Sequence, residues 1–148
     1  TVKRTGVTGE MDADLKATVS AAVDKVAAKM ENLRVADAIT EIFTAIKRCN
    51  KYIDETEPWV LAKEEVNSDR LATVLYNLVE GIAIGAELIR PFMPETTDKI
   101  LSQINASPRA FEELDQFGLY PSGQKVTDAP EILFARLKLD EVLAKLEQ

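Results

Sequence analysis

The chain has 148 residues, 46% of them hydrophobic, which is enough for one domain with a real core. Its net charge of −7 argues against a general nucleic-acid binder, which would present a basic field, and by itself favours an acidic helical interaction module. With no histidine and a single cysteine, Cys49, zinc or iron ligation and Cys–His catalysis are implausible, and no intrachain disulfide can form.

A lone cysteine suits a reducing cytoplasm. The N-terminal stretch lacks the apolar stretch of a signal peptide, and no run approaches the roughly 20 apolar residues of a membrane span. The expected location is therefore the cytoplasm, with no membrane partner.

Residues 1–11 carry two glycines and no periodicity and read as a loop. From Asp12, offered as a cap, the residues Leu15, Val19, Val23, Val26, Met30 and Leu33 recur at spacings of three and four. This is the pattern of an amphipathic helix, with a stop at Glu31-Asn32. A second helix is written by Val35, Ile39, Ile42, Ile46, Cys49 and Ile53, widened by Ala38 and Phe43. The turn Glu55-Thr56-Glu57-Pro58 then interrupts the pattern. Pro58 suits the first position of a new helix, with Thr56 or Glu57 as its cap, and Trp59 follows in the first turn.

Asn67-Ser68-Asp69 opens a third long helix, running to Phe92, whose apolar residues spread around most of its circumference. Such a helix is central to its bundle. Gly81 and Gly85 lie four apart on it and mark close packing; Glu80, Glu87 and Arg90 rule out a membrane reading of that spacing. Arg90 is expected to pair with a carboxylate or with helix-end carbonyls. Pro91 and Pro94 bend the chain into a short helix, Glu95 to Ile104, with Ile100, Leu101 and Ile104 inward. A turn or two carries Phe111 and Leu114. Residues 116–130 form an irregular excursion, Ile132-Leu133-Phe134 docks extended on the bundle, and Asp140 caps a last helix with Val142, Leu143 and Leu146. The expected architecture is an all-α bundle over 12–115 with a C-terminal arm and helix over 116–148, one domain in total.

The runs NKYIDETEPWVLAK, LIRPFMPETTDKI and APEILFARL, in that order across most of residues 12–140, resemble the C-terminal helical anticodon-binding domain of methionyl-tRNA synthetase. The resemblance implies the helical bundle of class I synthetase anticodon-binding domains. It also implies recognition of the CAU anticodon of methionine tRNA. Chemistry with methionine, ATP and Mg2+ belongs, by the same resemblance, to a separate upstream catalytic domain, and this stretch itself carries no catalytic residue, cofactor or metal.

Carried over residue by residue, Trp59 matches the tryptophan on which an unpaired anticodon base stacks, and Pro58 the proline before it. Read from the residues alone, Trp59 is rather a core residue sealing the helix corner, and the resemblance reverses that preference. Asn50 stands where a base edge or the turn backbone would be bonded. Asp54 either discriminates against wrong anticodons or caps the helix end. Lys47, Arg48, Lys51 and Lys63 are candidates for anticodon phosphates, or else solvated surface charges. The family's first helix, with an asparagine and an arginine for the first anticodon base, finds no match here. The long third helix is then expected to be apolar on more sides than its neighbours cover. Self-association through that face, or marginal stability, would follow. Two alternatives remain: a helical adaptor for a partner protein, and the anticodon-binding domain of another class I synthetase.

Overall fold

The computed structural model describes residues 1–136, 138 and 139. Helix α1 runs over Glu10–Glu31, α2 over Val35–Thr56, α3 over Pro58–Leu61, α4 over Ser68–Ile89 and α5 over Pro94–Ile104. Single 3-10 turns lie at Glu65–Asn67 and Phe111–Glu113. Among the described residues there is no strand. One antiparallel bridge, Val2 with Gln124, pins the N-terminal loop to the C-terminal excursion. The fold is all-α, as the periodicity indicates.

The antiparallel pair α1–α2 packs across α4, and α5 folds back on the other side of α4. The main core joins Leu15, Val19, Val23 and Val26 of α1 to Ala38, Ile42, Ala45 and Cys49 of α2 and to Val74, Leu78, Ile84 and Leu88 of α4. A smaller core joins Tyr76, Val79 and Ala83 of α4 to Leu101 and Ile104 of α5, and to Val2 and Tyr120. Close packing at the two α4 glycines is as the spacing indicates. A Cβ on Gly81 would come within 2.7 Å of Cys49 Sγ, and one on Gly85 within 3.5 Å of Ile46.

Several expectations need correction. The helix α1 begins at Glu10, not Asp12. Gly9 occupies the cap, and Asp12, one turn in, accepts the Gly9 N–H at 3.0 Å. The α1 stripe stops at Val26: Met30 is exposed on the last turn, and Leu33 lies exposed beyond the helix end. On α2 the buried face is rotated from the expected stripe: Ala38, Ile42, Ala45, Cys49 and Tyr52 point inward, while Val35 and Phe43 are exposed. The α4 helix ends at Ile89 rather than Phe92 and is covered on more sides than expected. Of its large apolar side chains only Leu75 and Ile82 are well exposed, because α5 and the excursion 116–130 cover the side that α1 and α2 leave open.

Glu80 and Glu87, whose charges argue against a membrane reading of the helix, are buried and paired. Arg109 forks onto Glu80 at 2.8 and 3.0 Å, and the Tyr120 N–H also donates to Glu80. Arg90 bonds Glu87 at 2.6 Å and Asp98 at 2.7 Å, so its pairing with carboxylates is as anticipated. Ile132 and Phe134 do not dock extended on the bundle; both are largely exposed. The expected last helix, with Val142, Leu143 and Leu146, lies outside the described residues.

Candidate functional site

The corner between α2 and α3 is closed by backbone rather than by side chains. Glu57 adopts a left-handed conformation, φ 42° and ψ 59°. Its N–H donates to the Ile53 carbonyl at 2.9 Å, and its own carbonyl accepts from Val60 at 2.7 Å and Leu61 at 3.2 Å. Glu57 therefore both ends α2 and caps α3, with no side-chain cap bond. Thr56, the other expected cap, remains inside α2 and bonds the Tyr52 carbonyl at 2.6 Å. Pro58 occupies the first helical position, where its missing N–H costs nothing. Trp59 follows with 53% of its surface exposed, while Leu61 turns toward the core. The core-sealing reading of Trp59 does not fit that exposure.

Beneath the corner lies a polar network that the hydrophobic pattern did not reveal. Tyr52, wholly buried, donates to Asp12 Oδ1 at 2.6 Å and accepts from Asn77 Nδ2 at 3.1 Å. Arg70 forks onto both Asp12 oxygens at 2.7 and 2.8 Å. Gly9 is what allows this approach, since a Cβ there would come within 2.6 Å of Arg70 Nη2. Burial works to raise the Asp12 pKa, but the bonds from Arg70, Tyr52 and Gly9 outweigh it and hold the carboxyl below its ordinary value. The network ties the first turns of α1 and α4 to the last turns of α2, so the corner stands on three helices. The available sequence signal was Asn77 and Glu80 inside an otherwise apolar run; Tyr52 and Asp12 carried none.

Lys47, Asn50 and Asp54 share one face of α2 by their spacing, and all three are exposed. Neither Asn50 nor Asp54 makes a side-chain hydrogen bond among the described residues, so neither serves the turn backbone nor caps the helix. Asn50 borders an apolar groove of about 410 Å3 between α2, α4 and α5, with the half-exposed Phe43 and Ile82 on it and Phe134 at its edge.

The basic candidates separate. Arg48 is directed inward: its side chain is 9% exposed, Nε bonds Asp14 at 2.5 Å, and Nη1 lies 2.9 Å from Glu55. It crosses from α2 to α1 and is engaged within the bundle, which removes it from the set facing outward. Lys51 is exposed but lies 3.4 Å from Glu55, and Lys47 and Lys63 are exposed. Around Trp59 these lysines stand among Asp54, Glu57, Glu64 and Glu65, so the corner is not a basic surface. An exposed indole on a surface of mixed charge suits an unpaired base better than a phosphate backbone.

A family model described as the anticodon binding domain of methionyl tRNA ligase matches residues 2–147. Methionine–tRNA ligase of Clostridium perfringens is 43% identical over 123 residues, covering 83% of this chain and 19% of that protein. Its counterpart in Caldanaerobacter subterraneus is 43% identical over 141 residues, covering 94% of this chain and 22% of that protein. The chain thus spans about a fifth of the length of these curated relatives. Among solved structures, the free form of Mycobacterium tuberculosis methionyl-tRNA synthetase superposes with a TM-score of 0.81 at 30% identity, over 93% of this chain and 28% of that one. The same enzyme in complex with methionyl-adenylate gives 0.80 at 30% identity, over 91% of this chain and 27% of that one.

Proposed function

Since this chain belongs to the family of methionyl-tRNA ligase anticodon-binding domains, we propose that it reads the CAU anticodon of methionine tRNA, with an unpaired anticodon base stacked on Trp59. The observation that carries the reading is the exposed indole on a proline-opened turn, at the end of a helix that the Asp12–Tyr52–Arg70 network ties to α1 and α4. Pro58 sets the direction of the ring. Asn50 and Asp54, uncommitted within the bundle, bond or repel base edges. Lys47, Lys51 and Lys63 are the remaining phosphate contacts, and their small number agrees with recognition through bases.

The whole-protein role proposed is aminoacylation by a cytoplasmic methionine–tRNA ligase. ATP and Mg2+ act in its catalytic domain, and this chain acts as one discriminating domain. The adaptor and other-synthetase readings have lost their footing to the family membership. The groove bordered by Phe43 and Ile82 supports a further part of the proposal: the isolated chain self-associates through it. Titration of the chain with CAU and non-CAU anticodon stem-loops tests the main reading. Preference for CAU that vanishes in Trp59→Ala is expected, and equal binding of all loops by the parent chain would overturn it.

A further inference from the structure

On the side of the bundle where the N-terminal loop crosses α1 and α4, a cavity of about 250 Å3 is lined by Arg4, Thr8, Lys16, Asn77, Phe117 and Gly118, among others. No carboxylate lines it. That is unusual for this chain, whose other arginines at helix contacts are neutralised: Arg48 by Asp14 and Glu55, Arg70 by Asp12, Arg90 by Glu87, and Arg109 by Glu80.

The two cations here are positioned instead by aromatic faces. The Arg4 guanidinium lies 5.9 Å from the Tyr76 ring centroid, and Lys16 Nζ lies 5.7 Å from that of Phe117. A ring orients a cation without cancelling its charge. Neither Arg4 nor Lys16 meets an acidic side chain within 4 Å among the described residues, so both positive charges remain available to the cavity. Gly118, at φ 108°, brings backbone close to Arg4, and a Cβ there would come within 3.3 Å of Arg4 Nη1. The Arg4 N–H is itself anchored on Ser122 Oγ at 2.9 Å, and Thr5 is bonded to Asp69 and Thr73, so the loop bearing Arg4 is held at both sides. The volume is below the ~300–1,000 Å3 of pockets for drug-sized ligands and fits a compact group.

We propose that this cavity is a phosphate-binding pocket, in which Arg4 offers a planar fork and Lys16 a point charge to one phosphate group. The proposal goes beyond the reading of the anticodon and does not depend on Trp59. Its phosphate comes either from the backbone of a bound RNA or from a free small molecule, and the two sources separate in the test.

The probe is inorganic phosphate, followed by the amide resonances of Gly6, Thr8 and Gly118 in the whole chain, with a CAU stem-loop as the second arm. Saturable shifts at those amides are expected. Arg4→Gln and Lys16→Gln should each weaken phosphate by ~10-fold or more, the scale of a charge-assisted bond, while Lys25→Gln, on the solvent face of α1, leaves it unchanged. Unaltered amide patterns elsewhere and an unaltered thermal midpoint show that the variants fold. If RNA supplies the phosphate, inorganic phosphate competes with the stem-loop, and each variant flattens the salt dependence of stem-loop binding by about one unit of slope. If a free molecule supplies it, phosphate binds while stem-loop affinity and slope stay the same. Absence of saturable shifts, or shifts that persist in both variants, overturns the proposal. Loss of CAU preference in Trp59→Ala without change in phosphate binding separates failure here from failure of the anticodon reading.

Discussion

Trp59 keeps 53% of its surface exposed, so its removal acts on binding more than on stability. Stacking an unpaired base on an aromatic ring contributes ~1–3 kcal/mol. Trp59→Ala should therefore weaken a CAU stem-loop by that amount in a titration, with little change in the thermal midpoint. Asp54 offers the complementary test. If its free carboxylate acts by repelling wrong base edges, Asp54→Asn should strengthen non-CAU loops more than CAU, measured as a ratio of affinities. Equal changes for all loops would leave Asp54 without a part in discrimination. Arg48 is the contrast on the same helix as Asp54: it is engaged with Asp14 and Glu55, so its chemistry is structural although its type suggests RNA.

Among the elements, the α1–α2 connection carries an identifiable strain. Leu33 sits at φ 55° with 86% of its surface exposed, so it bears the left-handed penalty with no burial to offset it. For an L-residue that conformation costs about 1–2 kcal/mol, and glycine gives back roughly 0.5–1 in unfolded-chain entropy. Leu33→Gly should raise stability by about 0.5–1 kcal/mol in urea unfolding, without altering stem-loop binding. Glu57 carries the same conformation at φ 42° but cannot be exchanged so freely, because its backbone is the hinge that aims Trp59.

For the molecule as a whole, pH dependence follows from what is buried between the helices. Burial pushes the Cys49 thiol from 9.0 up to about 11, and burial, aided by the bond to Asp12, pushes the Tyr52 phenol from 10.0 up to about 12. Both folded values exceed the unfolded ones, so the protonated forms favour the fold. Their contribution is complete below pH 9 and is lost as pH rises through 11 and 12. Urea midpoints should fall steadily above pH 9, and Cys49→Ala should flatten the part between 9 and 11. Asp12 acts in the opposite direction: its folded value is depressed, so its contribution is present above the ordinary carboxyl range and is lost as pH falls through the folded value. The groove bordered by Phe43 and Ile82 makes a separate, concentration-dependent claim. Sedimentation of the isolated chain should reveal association that Ile82→Glu abolishes; a monomer at all concentrations would refute the proposed self-association.

The sequence by itself determined the helices among the described residues, their order and the corner, because those rest on local periodicity, on proline at a first helical position and on a motif that spans few residues. It also placed Trp59 in the first turn after a proline, since proline and the turn residues act over short range, while the exposure of its ring was decided by packing. Only the tertiary structure decided which face of α2 is buried and that Tyr52, Asp12, Arg70 and Asn77 meet, because partners separated by tens of residues leave no periodic trace. It likewise decided that Arg48 is directed inward while Arg4 and Lys16 keep their charge facing a cavity. A charged residue has the same letter whether a carboxylate or a ring lies beside it, and that neighbour is set by packing.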